Sequence, residues 1–422
     1  MDNMYGKEEN FYSALRLYII FDNMPLDSII KLSCVNTQLN EIITAYLKTE
    51  LQIKQIACGQ THTLVLLKKG RVFATGENKH GQLGLSDDKY FVFSEITDIE
   101  RMEAISAGFD HSVMLSKEKN VWVMGNNDNN QLTFQETVSK QNTNPLEAFS
   151  LEENKIKLVP LQRSISLTQV KAISAVDHTT VVLNEDGTIK VCGNPQLQAC
   201  IINQQLKLLP AWLINELPKD LNIVDVSFGQ CHALCLTKEG EVYCFGSNDQ
   251  GLLGLGKEIE QCASWTKLCN CKASKIKATA LGSFILTTDQ RLLVSGINSQ
   301  QQLGTLEKSI FTFAEIATEV KDFDANDWHT VYLDKNNQLY SMGCNESGQL
   351  GIGRSTKQDE ITQKSLISVK HRIASVLPIE EKFPFISQLS RKIKMKEPEW
   401  EDNEEFERDD YWGEESEMSL GS

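Results

Sequence analysis

Apolar residues in this chain come in short paired runs rather than in helical stripes. Leu64–Leu67 and Val72–Ala74 are two such runs, separated by Lys68, Lys69 and Gly70, a pattern that predicts a strand, a turn and a second strand. The layout returns as Val113–Leu115 with Val121–Val123, and as Leu234–Leu236 with Val242–Phe245. The runs are rich in β-branched and aromatic residues and too short to be stable alone. Each unit therefore needs the next one to cover its apolar face.

Two landmarks align six copies of the unit. A histidine opens the second run at His62, His111, His178, His232 and His329, with Gly282 in that slot in the fifth copy. A glycine closes the following run at Gly76, Gly125, Gly193, Gly246, Gly296 and Gly343, at intervals of 49, 68, 53, 50 and 47 residues. A period near 50 with two to four strands per unit is the mark of a β-propeller or a related array. Asn78, Asn127, Asn248, Asn298 and Asn345 recur two residues after the glycine, where a short amide can hydrogen-bond local turn backbone. Leu83, Leu132, Leu253, Leu303 and Leu350 follow, as plugs for the core below the loop. A histidine repeated once per unit reads as a buried strand-linking residue, so His62, His111, His178, His232 and His329 are assigned to structure rather than catalysis.

The motif G-x-x-H, followed by G-x-N-x-x-G-Q-L-G, resembles the repeat of the regulator-of-chromosome-condensation family over roughly residues 51–353. The resemblance implies an all-β propeller, usually of seven blades; six copies are readable, so six or seven blades are expected. The third copy departs from the motif in lacking both its glycine and its Gly-Gln-Leu-Gly loop, and the fifth lacks its histidine. The chain divides into a helical segment at 1–50, a propeller at 51–385 and a basic-then-acidic tail at 386–422. A closing strand for the ring is expected within Leu366–Val376.

In the exchange-factor members of that family, acidic residues just before the repeat histidine touch the small GTPase Ran. The resemblance carries this role to Asp110, Asp177 and Asp327, with Gln60 and Gln230 in neighbouring slots; asparagine-like turn preference explains the same aspartates without a partner. The longest interval holds a polar insertion, Phe134–Gln169. It corresponds to the β-wedge those factors push at the nucleotide site, or to a tolerated surface loop. The expected activity is promotion of nucleotide exchange on a Ran-type GTPase, with no covalent chemistry and no cofactor.

Before the repeats, Ile29, Leu32, Val35, Leu39, Ile42 and Ile43 follow helical spacing after Pro25-Leu26-Asp27. This stretch resembles the second half of an F-box, whose helices dock on the Skp adaptor of cullin–RING ubiquitin ligases. Pro25, Leu26, Ile29, Leu32, Val35 and Leu39 would then form the adaptor face, making the chain a ubiquitin-ligase substrate receptor. A helical cap over the propeller edge accounts for the same residues, and a scaffold without turnover is a third reading.

Composition narrows the partners. A net charge of −15 argues against nucleic acid, since phosphate binding needs a basic surface. No stretch is long and apolar enough to span a membrane, and a monomer is expected. Eleven cysteines, scattered and odd in number, read as reduced thiols in a cytoplasmic setting. Cys262, Cys269 and Cys271 lack a paired partner set for a metal, and no P-loop, His-Glu-x-x-His or nucleophile elbow is present. Residues 397–422 carry twelve acidic residues against Arg408, a composition expected to be disordered. Their end, EESEMSLGS, resembles the export signal of type IV secreted effectors of intracellular bacteria, which would place the protein in a host cell's cytosol as a virulence effector.

Overall fold

The computed structural model describes residues 24–32, 51–132, 170–193, 197–202, 205–218, 221–268 and 271–356, with 39, 42–43, 46–47, 159–160 and 365–367. Among these, the chain forms seven antiparallel sheets in chain order. The first holds Ile53–Cys58, His62–Leu67, Val72–Glu77 and Lys89–Glu95. The second, fifth, sixth and seventh, which start at Met102, Ile223, Ala273 and Val320, also have four strands. The third, from Val170, has three, and the fourth is the hairpin Leu197–Ile202 with Gln205–Pro210.

The second strand of a sheet explains why its sequence is apolar without interruption. His62–Leu67 is buried along its whole length. Its side chains alternate between faces, so Leu64 and Leu66 pack with Met102, Ile105 and Met114 of the second sheet. Val65 and Leu67 pack instead with Val331, Leu333 and Leu339 of the seventh. Similar clusters join every successive pair of sheets, and the seventh is joined back to the first. The fold is therefore an all-β propeller. The hairpin Leu197–Pro210 fills the place between third and fifth sheets, giving Leu206 and Leu208 to one side and Leu209 to the other. It carries no copy of the motif, which is why six repeats accompany seven sheets.

The repeat histidines tie neighbouring sheets. His62 Nε2 lies 2.9 Å from Ser112 Oγ, His111 Nε2 2.9 Å from Thr180 Oγ1, His232 Nε2 3.0 Å from Ser283 Oγ, and His329 Nε2 2.7 Å from Thr63 Oγ1. Ser112, Ser283 and Thr63 donate onward to the backbone carbonyls of Gln82, Leu252 and Gln349. With its proton committed to a carbonyl, the hydroxyl must accept from the ring, so Nε2 carries the hydrogen. The Nδ1 atoms of these four histidines have no partner, which fits a neutral ring. Burial drives His62 down to about 3 and His111, His232 and His329 down to about 4.

The last of these links closes the ring, assisted by Thr75 Oγ1 donating to the Gly348 carbonyl and Cys58 N donating to Asp324 Oδ2 at 2.8 Å. Ser365–Ile367 is indeed a strand, but it pairs with Leu339–Ser341 of its own sheet and not with a strand from the opposite chain end. Side-chain and main-chain bonds across the seam do that work instead.

The amino-terminal segment lies on the same seam. Its helix Leu26–Leu32 and residues 39–47 bring Ile29, Ile43, Tyr46 and Leu47 into the core formed by the first and seventh sheets, with Leu32 and Leu39 packed against it. Arg71, 4% exposed, bonds Glu95 at 2.6 Å and Tyr46 Oη at 3.5 Å. Ile29 is thus buried against the propeller, and Leu32 and Leu39 pack beside it partly buried, as the cap reading expects. Pro25 is exposed, Leu26 begins the helix, and Val35 lies outside the described residues. The tail and its export-signal resemblance also lie outside them.

Two outcomes test this account. His329→Ala, which breaks the closing link and leaves Thr63 without its donor, should cost about 2–3 kcal/mol in denaturant unfolding. The four neutral rings remain unprotonated down to about pH 4, whereas unfolded histidines take up protons from about 6.5 downward. The unfolded state then binds more protons, so the unfolding midpoint should fall as pH drops from about 6.5 towards 4.

Candidate functional site

Consecutive antiparallel strands put the turn after the first strand and the loop after the third at the same end of the ring. Glu77 N donates to Thr61 O, Asn126 N to Asp110 O, Ser247 N to Cys231 O and Cys344 N to Trp328 O, all at 2.8–2.9 Å. These bonds fix inner turn and outer loop together. Gly76 is needed here because its φ is +111° and a Cβ would lie 2.3 Å from Thr61 O. Asn78 then shapes the loop: Oδ1 accepts from Leu83 N, and Nδ2 donates to Leu85 O and Asp87 O, each at 2.8 Å. Asn248, Asn298 and Asn345 repeat the arrangement, and Leu83, Leu253, Leu303 and Leu350 are fully buried beneath.

The inner turns form a rim around the ring axis. Strand register sets their alignment, pairing His62 with Gly76, His111 with Gly125, His232 with Gly246 and His329 with Gly343. In the third sheet, however, the residue opposite Gly193 is Thr179. His178 is thus not a strand-linking histidine, and its assignment with the other four is corrected. The cause is steric. Where the first copy has Gly59, a Cβ would meet the His62 ring at 2.0 Å; the third copy has Val176 in that slot, whose side chain takes the ring's space. The sixth sheet makes the same exchange with Thr279 and Gly282.

The shift changes which acids correspond. Asp177 now matches Gln60, Gln230 and Asp327, together with Phe109 and Ala280, while Asp110 stands one position later, with Thr61, His178, Cys231, Leu281 and Trp328. All lie on one rim. Gln60 N donates to Phe109 O at 2.9 Å, and Phe109 N to Asp177 O at 2.7 Å. His178, displaced from the core, packs its ring on Phe109 at 4.9 Å with Nε2 3.7 Å from Asp177 Oδ1. Phe109 and Trp328 were not picked out by the sequence; only the register brings them to the rim.

The rim acids differ in their surroundings. Asp177 and Gln230 are exposed. Burial raises the Asp327 carboxyl above the usual range, the amide of Ala280 at 2.6 Å opposes this, and the negative charge of Asp177 raises it further. Asp177 and Asp327 come from the third and seventh sheets, so their fields meet across the mouth of the ring. Burial also raises Asp110, while His80 and His178 act in the opposite sense. Below the rim the first strands are bridged by charge: Lys277 lies 2.9 Å from Asp324, and Lys275 2.6 Å from Asp322. Burial alone would raise Asp324, but Lys277 and Lys275 hold it below the ordinary carboxylate value. Within the insertion only Val159–Pro160 is described, paired with Val123 and Trp122.

Eight described cysteines are free and Cys271 is disulfide-bonded, so the expectation of eleven reduced thiols does not hold. Cys235 and Cys244 are buried core residues, and Cys231 is exposed at the rim.

The repeat motif agrees with the proteins this chain is similar to. The family model "Regulator of chromosome condensation (RCC1) repeat" matches residues 53–82, 103–131, 223–252 and 320–349, and a second model of the same description matches 239–285. Over those segments the chain is similar to Regulator of chromosome condensation repeats. Among curated proteins, the mouse "Regulator of chromosome condensation" is 25% identical over 233 residues, covering 49% of this chain and 55% of that protein. The human "Probable E3 ubiquitin-protein ligase HERC6" is 32% identical over 143 residues, covering 31% of this chain and 14% of the other. The match thus spans about half of the first relative and far less of the second. Among solved structures, Prp20p from Saccharomyces cerevisiae, described with its binding properties to Gsp1p and histones, is 18% identical. It covers 76% of this chain and 77% of its own, at a TM-score of 0.44.

Replacing the two rim acids should separate function from stability. Asp177→Ala, at an exposed position, should change unfolding free energy by less than about 0.5 kcal/mol. Asp327→Ala, which leaves the Ala280 amide without its acceptor, should cost about 1–2 kcal/mol in the same denaturant titration.

Proposed function

We propose that this condensation-regulator propeller binds a Ran-type small GTPase through its inner rim and promotes release of the bound nucleotide. The observation that carries the reading is the rim itself, where Asp110, Asp177 and Asp327 stand on the turns before the repeat-histidine position. Repeat matches to a protein named "Regulator of chromosome condensation" support the same assignment. Carboxylates gathered around the mouth of a ring attract a basic protein surface and orient its approach. Of these, exposed Asp177 steers a partner from a distance, while Asp110 and Asp327 are partly buried, where a bond to a partner cation is less screened by water.

Exchange would require no covalent step. A partner surface held more tightly when the nucleotide is absent shifts the equilibrium towards the empty state, and only that difference in affinity can accelerate release. The rigid ring suits this task, because turns fixed at both ends present their charges without first having to be ordered. The polar insertion Phe134–Gln169 is the segment we assign to contact near the nucleotide.

Release of a fluorescent GDP analogue from purified Ran tests the proposal. The unaltered chain should accelerate release, and Asp110→Lys with Asp177→Lys should lower the acceleration at least tenfold while the thermal midpoint is kept. GTPase binding without any acceleration would make the propeller an adaptor rather than an exchange factor.

A further inference from the structure

We infer that Ile259 and Leu306 form an apolar ledge beside the rim, which takes an apolar spot edged by lysine or arginine on the surface of the protein partner. The inference rests on the preceding reading, whose GTPase is the partner meant. Among the described residues, three large apolar side chains are exposed, and two are these: Ile259 at 42% and Leu306 at 69%. Both lie on loops after a third strand, and therefore at the rim end of the ring.

The two loops form one surface. The loop of the fifth sheet is fastened to the outer strand of the sixth, Ser309–Ala317. Gly256 N donates to Phe311 O at 2.8 Å, Leu255 bridges Thr312, Ser309 Oγ bonds Gln250 Oε1 at 3.0 Å, and Lys257 Nζ sits 4.7 Å from the Phe311 ring centre. Leu306 lies just before that strand. Each loop is also held from within. Asn248 Nδ2 donates to Ile259 O at 2.6 Å, while Asn298 Nδ2 donates to Thr305 O at 2.9 Å and Glu307 O at 2.7 Å. The exposure is thus imposed by fixed backbone.

The fold itself does not ask for these side chains. Leu306 stands eight residues after Asn298; the equivalent positions after Asn78 and Asn345 are Ser86 and Gly353. A loop that closes equally well on serine or glycine gives leucine no internal role. Exposed Glu258, Glu260, Glu307 and Asp249 surround the ledge, against Lys257 and Lys308. An apolar centre with a mostly acidic border is complementary to an apolar centre with a basic one. The sixth sheet, which carries Leu306, also carries Ala280 on its inner turn, whose amide donates to Asp327.

The test is a titration of nucleotide-free Ran with the full chain, using Ile259→Ser, Leu306→Ser and the double variant. The double variant should bind about tenfold or more weakly, with an unchanged thermal midpoint because neither side chain is buried. Unchanged affinity in the double variant, while Asp177→Lys loses binding, would overturn the ledge and leave the rim reading standing. Loss of binding in the double variant but not in Asp177→Lys would support the ledge and remove the rim. No binding by the unaltered chain would overturn both.

Discussion

The ring leans on one relay, imidazole to hydroxyl to loop carbonyl, which ties the first sheet to the second, the fifth to the sixth and the seventh to the first. An isolated sheet of five- or six-residue strands is unstable in water, and apolar packing between sheets does not by itself set their relative height. The relay does so with three polar groups that have no alternative partner once buried. It binds the second strand of one sheet to the second strand of the next and to the loop of its own sheet, as in His329, Thr63 and the Gln349 carbonyl. Breaking one member strands the other two, so at those junctions the second strands are held to one geometry. The glycines before the histidine and at the loop follow from this, because they give the ring and the turn room.

Ring closure is the point where the chain has least help from sequence continuity, and several devices meet there. The relay from His329 is one, the buried carboxylate of Asp324 receiving Cys58 N is another, and the amino-terminal helix covers the outside. Tyr46 joins that cover to the buried Arg71–Glu95 pair. A buried ion pair adds little net stability but strongly penalises an arrangement that separates its charges. The helical segment thus packs on the propeller's seam, where Ile29, Ile43, Tyr46 and Leu47 join its core.

Charge is sorted by depth. Inside the ring, Asp322 and Asp324 are matched by lysines on the adjacent first strand and serve to hold sheets together. At the mouth, burial and, to a lesser degree, the charge of Asp177 raise the Asp327 carboxyl. The cost is modest because Asp177 is exposed and Asp327 receives an amide. An acid kept at an unfavourable position on a rigid scaffold is the kind of local conflict expected where a partner supplies the missing charge.

Much of this was legible in the chain before folding. The histidine and glycine landmarks, with a period near fifty, fixed the all-β repeat architecture, because each is a local steric or hydrogen-bonding requirement that recurs in most units. The asparagine and leucine positions followed for the same reason. Tertiary structure decided the rest. His178 looks like the other histidines, yet Val176 denies it the space and the strand register moves it to the rim. Leu197–Pro210 carries no motif, yet the neighbouring faces recruit it as a sheet. Ile29, Leu32 and Leu39 have the spacing of a docking helix whatever they dock on, and only the propeller surface beside them settles which. Local chemistry is written in the sequence one unit at a time; register, closure and what covers an apolar face depend on residues far away in the chain.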